Sequence, residues 1–367
     1  MTQLRFEAVR DLRGLNELAP AWRELAKRMT TARHFHTPEW FLALVQTLDK
    51  YGDSSYLFVA IYDSGELVGV APLRRTDMTL HGVPLNALRL LSNVRETRTA
   101  RDLILDDSVD GAAVLTEFVH HLNSVDASWD VFALAGALDD SCANRAMQNL
   151  PALPSISRRG GISGRAEFIS CGQGDDPLKR LSKGFRQNLR TARNKLAAED
   201  ARFVCAQTPD ALLASYEALA AVEASGWKRE NPAIIKNNPK FAEFLHNLMS
   251  YLERSNDCEI HLLQLSGHTI SAMLCITIND ICFIHVIGYD ETYHRASPGH
   301  LLMEQLIKTR GGRGNIRFIT TYSSPAWLSS WKPDKTSEIS DIYVFPPSER
   351  GRELHQRFSR LSAAKRP

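Results

Sequence analysis

The stretch ICFIHVIGYDETYHRASPGHLLMEQLIKTR (281–310) changes periodicity partway along, and that change decides the fold. Ile281 to Gly288 is an apolar, β-branched run of the kind that forms a buried strand. A polar turn follows, and Ser297-Pro298-Gly299 then has the makings of a helix start. Ser297 is a good N-cap, and Pro298 at the first helical position gives up an N–H that would have had no partner. Gly299 removes a side chain where something could approach the backbone closely. Leu301, Leu302, Leu306 and Ile307 keep helical spacing until Gly311-Gly312 ends the run. A strand that feeds such a helix leaves main-chain N–H groups and the positive end of the helix dipole facing an open site. That is a setting for an anion.

Around this stretch the second half of the chain reads as strand 202–207, helices 209–224 and 239–253, and a hairpin of 259–265 with 269–278. The central strand and helix follow, then strands 316–321 and 339–345. The first half has the same order: strand 5–10, helices 14–28 and 38–47, a hairpin across Ser64-Gly65, a short strand 101–105, helix 112–123, strand 130–135 and helix 139–149. The hairpins IYDSGELVGVAPL and LQLSGHTISAMLC occupy equivalent places, so the chain reads as two weakly similar copies. Residues 151–165, rich in Pro, Ser and Gly, read as the connector. The expected fold is α/β (α+β), with domains at 1–165 and 166–367, each a mixed, mostly antiparallel sheet flanked by helices. Residues 168–345 are expected to form one sheet whose strand 281–288 splays from 316–321 to leave a V-shaped cleft.

Length and composition suit this. A chain of 367 residues fits two ordinary domains, and 44% apolar with 23% charged residues is an ordinary globular composition. No apolar run approaches the roughly 20 residues of a membrane span. The N-terminal MTQLRFEAVRD lacks a signal core. The six cysteines show no CxxC pairing and mostly sit in apolar runs, which points to reduced thiols and a cytoplasmic location.

Tyr289-Asp290-x-x-Tyr293 followed by Ser297-Pro298-Gly299 resembles the strand-to-helix junction of the GNAT acyltransferase superfamily. It is most similar to the two-domain branch of CelD/BcsL-type and FemAB-like proteins. Trp22-Arg-Glu-Leu-Ala with Phe35-x-x-Pro-Glu-Trp, and the Arg186–Arg190 run, are further shared traits. In that superfamily the junction holds the pyrophosphate and pantetheine of acyl-CoA. The resemblance therefore implies tandem GNAT-like domains, with acetyl-CoA or another acyl-CoA as donor and no metal. It implies donor contacts from Ile287, Gly288, Arg295, Ser297, Gly299 and His300. Arg295–Gly299 matches one glycine of the usual Arg/Gln-x-x-Gly-x-Gly/Ala loop. The first copy has no Ser-Pro-Gly, so it is expected to be degenerate and structural. Gly226-Trp227-Lys228 resembles a Trp-containing turn of the family. Trp327-Leu328 stands where relatives tend to carry a Tyr-Lys pair, which puts Trp227, Lys228 and Trp327 at the acceptor.

From Lys179 to Lys195 there are seven basic residues and no acid. At about 100° per residue Lys183, Arg186, Arg190 and Arg193 share one arc of about 80°, opposite Phe185, Leu189, Ala192 and Leu196. Such a one-sign face suits a phosphate-rich ligand: a 3′-phosphorylated nucleotide, a polyanionic acceptor or the acceptor arm of a tRNA. Arg186 and Arg190 are the donor-phosphate candidates.

Attack by an amine or hydroxyl needs a base. His285, in the central strand, is one candidate, and Asp290, Glu223 and Tyr322 are the others. No Ser-His-Asp order, HExxH or metal spacing stands out. The expected activity is acyl transfer from CoA to a small-molecule, saccharide or amino-acid-derived acceptor, with no DNA partner. The alternatives are an aminoacyl transferase using aminoacyl-tRNA and a non-catalytic subunit of a polysaccharide-synthesis assembly.

Overall fold

A computed structural model describes residues 4–30, 32–91, 94, 101–148, 157–171, 176–226, 229–252, 257–311 and 316–363. Its elements, in order, are β1 (Leu4–Val9), α1 (Leu12–Arg28), α2 (Pro38–Lys50), β2 (Tyr56–Asp63), β3 (Glu66–Leu80), β4 (Val83–Leu90) and β5 (Ile104–Leu105). Next come α3 (Gly111–Val125), β6 (Val131–Leu138), α4 (Cys142–Gln148) and β7 (Ser157–Ser170). Then follow α5 (Pro177–Arg180), α6 (Lys183–Ala197), β8 (Ala201–Ala206), α7 (Pro209–Ser225), α8 (Pro239–Leu252), β9 (Cys258–Leu265) and β10 (His268–Ile278). The last are β11 (Ile281–Tyr289), α9 (Pro298–Gly311), β12 (Phe318–Thr320), α10 (Ala326–Ser329), β13 (Lys335–Val344) and α11 (Glu349–Ala363).

These elements form two compact units. The first comprises residues 1–45, 52–165 and 337–367, and the second 46–51 and 166–336. In the first unit the strand order is β1-β2-β3-β4-β6-β13-β7, with β4 and β6 parallel and β6 and β13 antiparallel. In the second it is β8-β9-β10-β11-β12-β7, with β11 and β12 parallel and the other neighbouring strands antiparallel. Each unit is thus a mixed, mostly antiparallel sheet with one parallel step bridged by a helix. Both hairpins turn on a Ser-Gly pair with φ positive at both residues (Ser64 and Gly65, Ser266 and Gly267), the backbone of a type I′ turn.

Two expectations about the chain's halves are corrected here. Residues 157–165 are strand rather than connector, and Ser163 Oγ donates to the Ile339 carbonyl at 3.2 Å. Pairing with β13 overrides the weak strand propensity of its glycines. Residues 337–367, expected in the second domain, belong with the first. There β13 pairs with β6, and Leu354 and Phe358 of α11 pack with Leu85, Ala87 and Val131.

In the second unit α6 and α9 cover one face of the sheet. Leu189, Ala192 and Leu196 meet Leu301, Leu302, Met303, Leu306 and Ile307 over Leu263, Met273, Cys275, Cys282 and Ile284. Each such aliphatic side chain contributes about 1.5–3 kcal/mol when fully buried. Glu304, buried within α9, is balanced by Arg193 of α6 at 3.3 Å and Lys308 at 2.9 Å. The acid missing from the basic helix is thus supplied by its neighbour, for one arginine of the stripe. Among the described residues no helix is long and apolar enough to cross a membrane, and all six cysteines are free thiols, five of them buried.

Candidate active site

The site is made by a fault in the central strand. Along β10 and β11 the register steps from Cys275–Ile284 to Leu274–Val286, so His285 is the extra residue of a β-bulge. A bulge bends its strand and increases the local twist. On its other edge β11 pairs with β12 only at Ile281, Cys282 and Phe283. β11 itself continues to Tyr289, six residues past that pairing. The pairing ends where β12 itself ends, at Thr320.

Beside the end of β11 is a cavity of about 620 Å³, lined by Glu223 and Gly226, by Ile287, Gly288 and Tyr289, by His294, by Ser297 to His300, and by Pro325, Ala326 and Trp327. Gly288 is there because α7 leaves no room. A Cβ on it would lie 2.8 Å from Glu223 Cα and 3.1 Å from Glu223 N. That contact seats Glu223, whose side chain is buried, with its Oε2 accepting the Ile235 N–H at 2.9 Å. At Gly299 a Cβ would meet only Tyr289 Cδ1, at 3.6 Å, so the space over the first turn of α9 is open.

The helix start differs from expectation in its capping. Residues 291–296 form a short 3-10 helix, and Ser297 then adopts a left-handed φ of 47°. Its carbonyl, not its hydroxyl, takes the N–H groups of His300 (3.0 Å) and Leu301 (3.2 Å). With Pro298 lacking an N–H, Gly299 carries the remaining N–H of this turn toward the cavity. Among the described residues the Gly299 N–H has no hydrogen-bond partner, one such group where the sequence suggested more.

His300 is fixed by its surroundings. The Trp331 indole N–H donates to His300 Nδ1 at 3.1 Å, and the Phe185 ring stands edge-on at 5.2 Å. An indole N–H can only donate, so His300 accepts at Nδ1 and carries its proton on Nε2. Burial lowers its pKa below the usual range, which favours the same neutral form. Phe185 belongs to α6, whose Arg186 and Arg190 are exposed and have no ion-pair partner among the described residues.

Of the residues singled out in the sequence, Glu223, Ile287, Gly288, Ser297, Gly299, His300 and Trp327 line the cavity together. His285, Asp290, Tyr322 and Arg295 do not line it. His285 sits against Phe241 (5.9 Å) and Phe283 (5.3 Å). Asp290 caps the short helix, its Oδ1 accepting the N–H and hydroxyl of Thr292 at 2.9 and 2.8 Å. Tyr322 is buried between the rings of Phe168 and Phe283, and Arg295 is exposed. Trp227 and Lys228 lie outside the described residues. Sequence reasoning missed Tyr289, whose signal was its two-residue spacing from Ile287. It also missed His294, Pro325 and Ala326, which carry no signal before the loops are folded.

Residues 183–319 match the family described as Acetyltransferase (GNAT) domain. Among solved structures the chain is similar to FemX, at 12% identity over 94% of this chain and 98% of that one, with a TM-score of 0.62. It is similar to the C-terminal domain of a putative lysylphosphatidylglycerol synthetase from Agrobacterium fabrum, at 10% identity over 95% and 97% of the two chains, TM-score 0.54. A conserved protein of unknown function from Bacteroides thetaiotaomicron aligns at 12% identity over 93% and 100%, TM-score 0.53. No curated protein matches the sequence. The match to the GNAT domain covers residues 183–319, and the likeness to these structures is one of fold.

Proposed function

We propose that the second unit is an acyl-CoA-dependent acyltransferase acting on an amine, in a cytoplasmic protein of the CelD/BcsL-type branch. The observation that carries this reading is the cavity that joins the end of β11 and the first turn of α9 to a buried carboxylate, Glu223. An extended thioester arm carrying amides would complete the edge of residues 284–289 as an added strand does. Its phosphates would lie toward the Gly299 N–H and the His300 Nε2–H, and Arg186 and Arg190 would meet the outer phosphates.

The chemistry follows from direct attack. The acceptor nitrogen bonds to the thioester carbonyl carbon, the carbonyl electrons move onto oxygen, and the tetrahedral intermediate expels the thiolate. The proton lost by nitrogen goes to Glu223, the carboxylate that lines the cavity, and the leaving thiolate takes a proton from solvent. Main-chain N–H groups at the end of β11 are positioned for the developing oxyanion. Pro325, Ala326 and Trp327 give the acceptor an apolar wall, and Glu223 attracts its ammonium form. Among the four base candidates Glu223 is preferred because it alone lines the cavity. The first unit, on this reading, is a degenerate second copy with a structural part.

Glu223→Gln tests the reading with least disturbance, since an amide oxygen can still accept the Ile235 N–H. In assays with acetyl-CoA, longer acyl-CoAs and an amine panel, kcat should fall by about 10²–10⁴-fold with donor Kd unchanged. Absence of both acyl-CoA binding and acyl transfer in the unaltered protein would sink the proposal. The exposed Arg186 and Arg190 favour a second reading, an aminoacyl-tRNA donor, and charged tRNA belongs in the same binding series.

A further inference from the structure

The first turn of α9 faces the cavity, and its last turn, roughly 20 Å away along the helix axis, reaches a separate cluster of polar side chains. Cys205 of β8 and His261 of β9 are direct cross-strand partners, so their side chains share a face of the sheet. Glu259, two residues back along β9, lies on that face too. Cys205 Sγ is 4.0 Å from His261 Nε2, which is 3.1 Å from Glu259 Oε2. The three ligand atoms all lie within 4.8 Å of one another.

We propose that Cys205, Glu259 and His261 bind a divalent cation of the zinc type. Tetrahedral zinc with bonds of about 2.0–2.3 Å sets its ligand atoms roughly 3.3–3.7 Å apart. Two of the observed separations, 3.1 and 4.0 Å, lie on either side of that range, and the third is within 4.8 Å. Thiolate, imidazole and carboxylate are the ligand types that such an ion selects. The carboxylate is already oriented from behind, because Glu259 Oε1 is held by Arg310 and by the Gln207 amide, which leaves Oε2 facing the other two ligands. Outer partners of this kind fix a ligand and tune affinity. Cys205 is exposed while Glu259 and His261 are buried. The ion therefore has a way in from solvent, and a water has room as fourth ligand. On binding, the Cys205 thiol proton leaves to solvent and the His261 proton moves from Nε2 to Nδ1. Arg310 is paired with the same carboxylate, so thiolate, carboxylate, guanidinium and dication together carry one net positive charge. The ligands come from strands whose residues are 56 apart in sequence, so no spacing motif announces them.

The test is a titration of the full, chelator-treated chain with Co(II) and then Zn(II), which does not depend on any acyl transfer. One equivalent of cobalt should give the near-ultraviolet thiolate-to-cobalt band of a four-coordinate site, and zinc should raise Tm. Cys205→Ser, at an exposed position, should keep the fold by circular dichroism, lose the band and weaken zinc about tenfold or more. Gln207→Leu should keep the band and weaken the metal by roughly 10–100-fold, through the carboxylate it orients. A protein that gives no band and no rise in Tm overturns the site. So does a band that persists in Cys205→Ser, since the thiolate would then be one of the other cysteines.

Discussion

The two units carry the same crossover, β4-α3-β6 in one and β11-α9-β12 in the other, and they use it differently. In the first, β4 pairs with β6 at Ala87, Leu88 and Arg89, so the strand is zipped almost to its end at Leu90. In the second the pairing stops at Phe283 and the strand runs on to Tyr289. The helix starts differ in the same sense. Asp110 caps α3 with its own carboxylate, Oδ1 accepting from Ala112 N at 3.0 Å and Ala113 N at 3.2 Å. α9 begins with Ser-Pro-Gly and no carboxylate. One crossover is sealed by its own side chains, and the other is left open at the two places where a ligand would bind. The two crossovers thus differ in register and in capping.

The largest effect is expected at Gly288, which has no counterpart at the zipped end of β4. Gly288→Val would drive its side chain into the backbone of α7 at Glu223, where atoms cannot rotate away. Overpacking costs about 1–3 kcal/mol, and contact with main chain puts this variant at the upper end. Urea unfolding should show that loss, and acyl transfer should vanish with the displacement of Glu223. A variant with normal stability would mean that α7 and β11 are not locked together, and the account of the site would lose its anchor.

Two buried carboxylates sharpen the comparison through pH. In the first unit burial pushes Asp102 up to about 6, against the hydrogen bonds from Ala143 and Cys142. In the second, burial also pushes Glu259 up, but hydrogen bonds from His261, Arg310 and Gln207 outweigh it and bring it down to about 2. A raised carboxylate contributes stability that is present below its unfolded pKa, near 3.8, and lost as pH rises through about 6. A depressed one contributes stability present above 4.5 and lost as pH falls toward about 2. Each amounts to at most about 3 kcal/mol at about 1.4 kcal/mol per unit. Relative to the unaltered protein, Asp102→Asn should therefore gain stability as pH rises from about 4 to 6. Glu259→Gln should gain as pH falls from about 4.5 to 2. Urea midpoints across that range, in chelator, decide it, and parallel curves for the variants would refute the assignment.

How much of this was legible follows from range of interaction. The Ser-Gly hairpins and the amphipathic α6 were readable because turn chemistry and helical period are local. The opened helix start was half legible: Pro298 and Gly299 announced it, but the left-handed Ser297 depends on the 3-10 turn before it. The bulge at His285 was not legible, since it is defined by what β10 does opposite. Nor was the placement of β13, whose Ile339 pairs with Leu138. Asp290 and Tyr322, singled out in the sequence, are polar groups held by a turn and by an aromatic cluster outside the cavity lining.

A smaller effect separates the charges. In the first unit Arg74 and Arg75 are each paired, with Asp53 and Asp126, whereas Arg186 and Arg190 face solvent without an ion-pair partner among the described residues. Arg186→Ala with Arg190→Ala should leave Tm alone and weaken acyl-CoA binding roughly tenfold, since each exposed charge contact contributes up to about 1 kcal/mol. The gap from the unaltered protein should close as salt rises. Equal affinity at low salt would return α6 to a solvated surface.

The smallest change in stability tests the helix starts against each other. Asp110→Ala removes the carboxylate from two N–H groups of α3 and should cost about 1 kcal/mol. If the first unit has no donor site, acyl-CoA affinity should not move. Gly299→Val should behave in the opposite way. Its side chain would meet only the edge of Tyr289, and valine is a better helix former than glycine, so Tm should stay within about 1 kcal/mol of the original. The branched side chain would nevertheless stand over the one free N–H of the turn and deny a phosphate or an extended arm its approach. Calorimetry with acyl-CoA on both variants, with thermal melts alongside, separates capping from binding. Should Gly299→Val melt normally and bind the donor as tightly as before, the start of α9 is structural only. The donor would then have to enter from another side of the cavity.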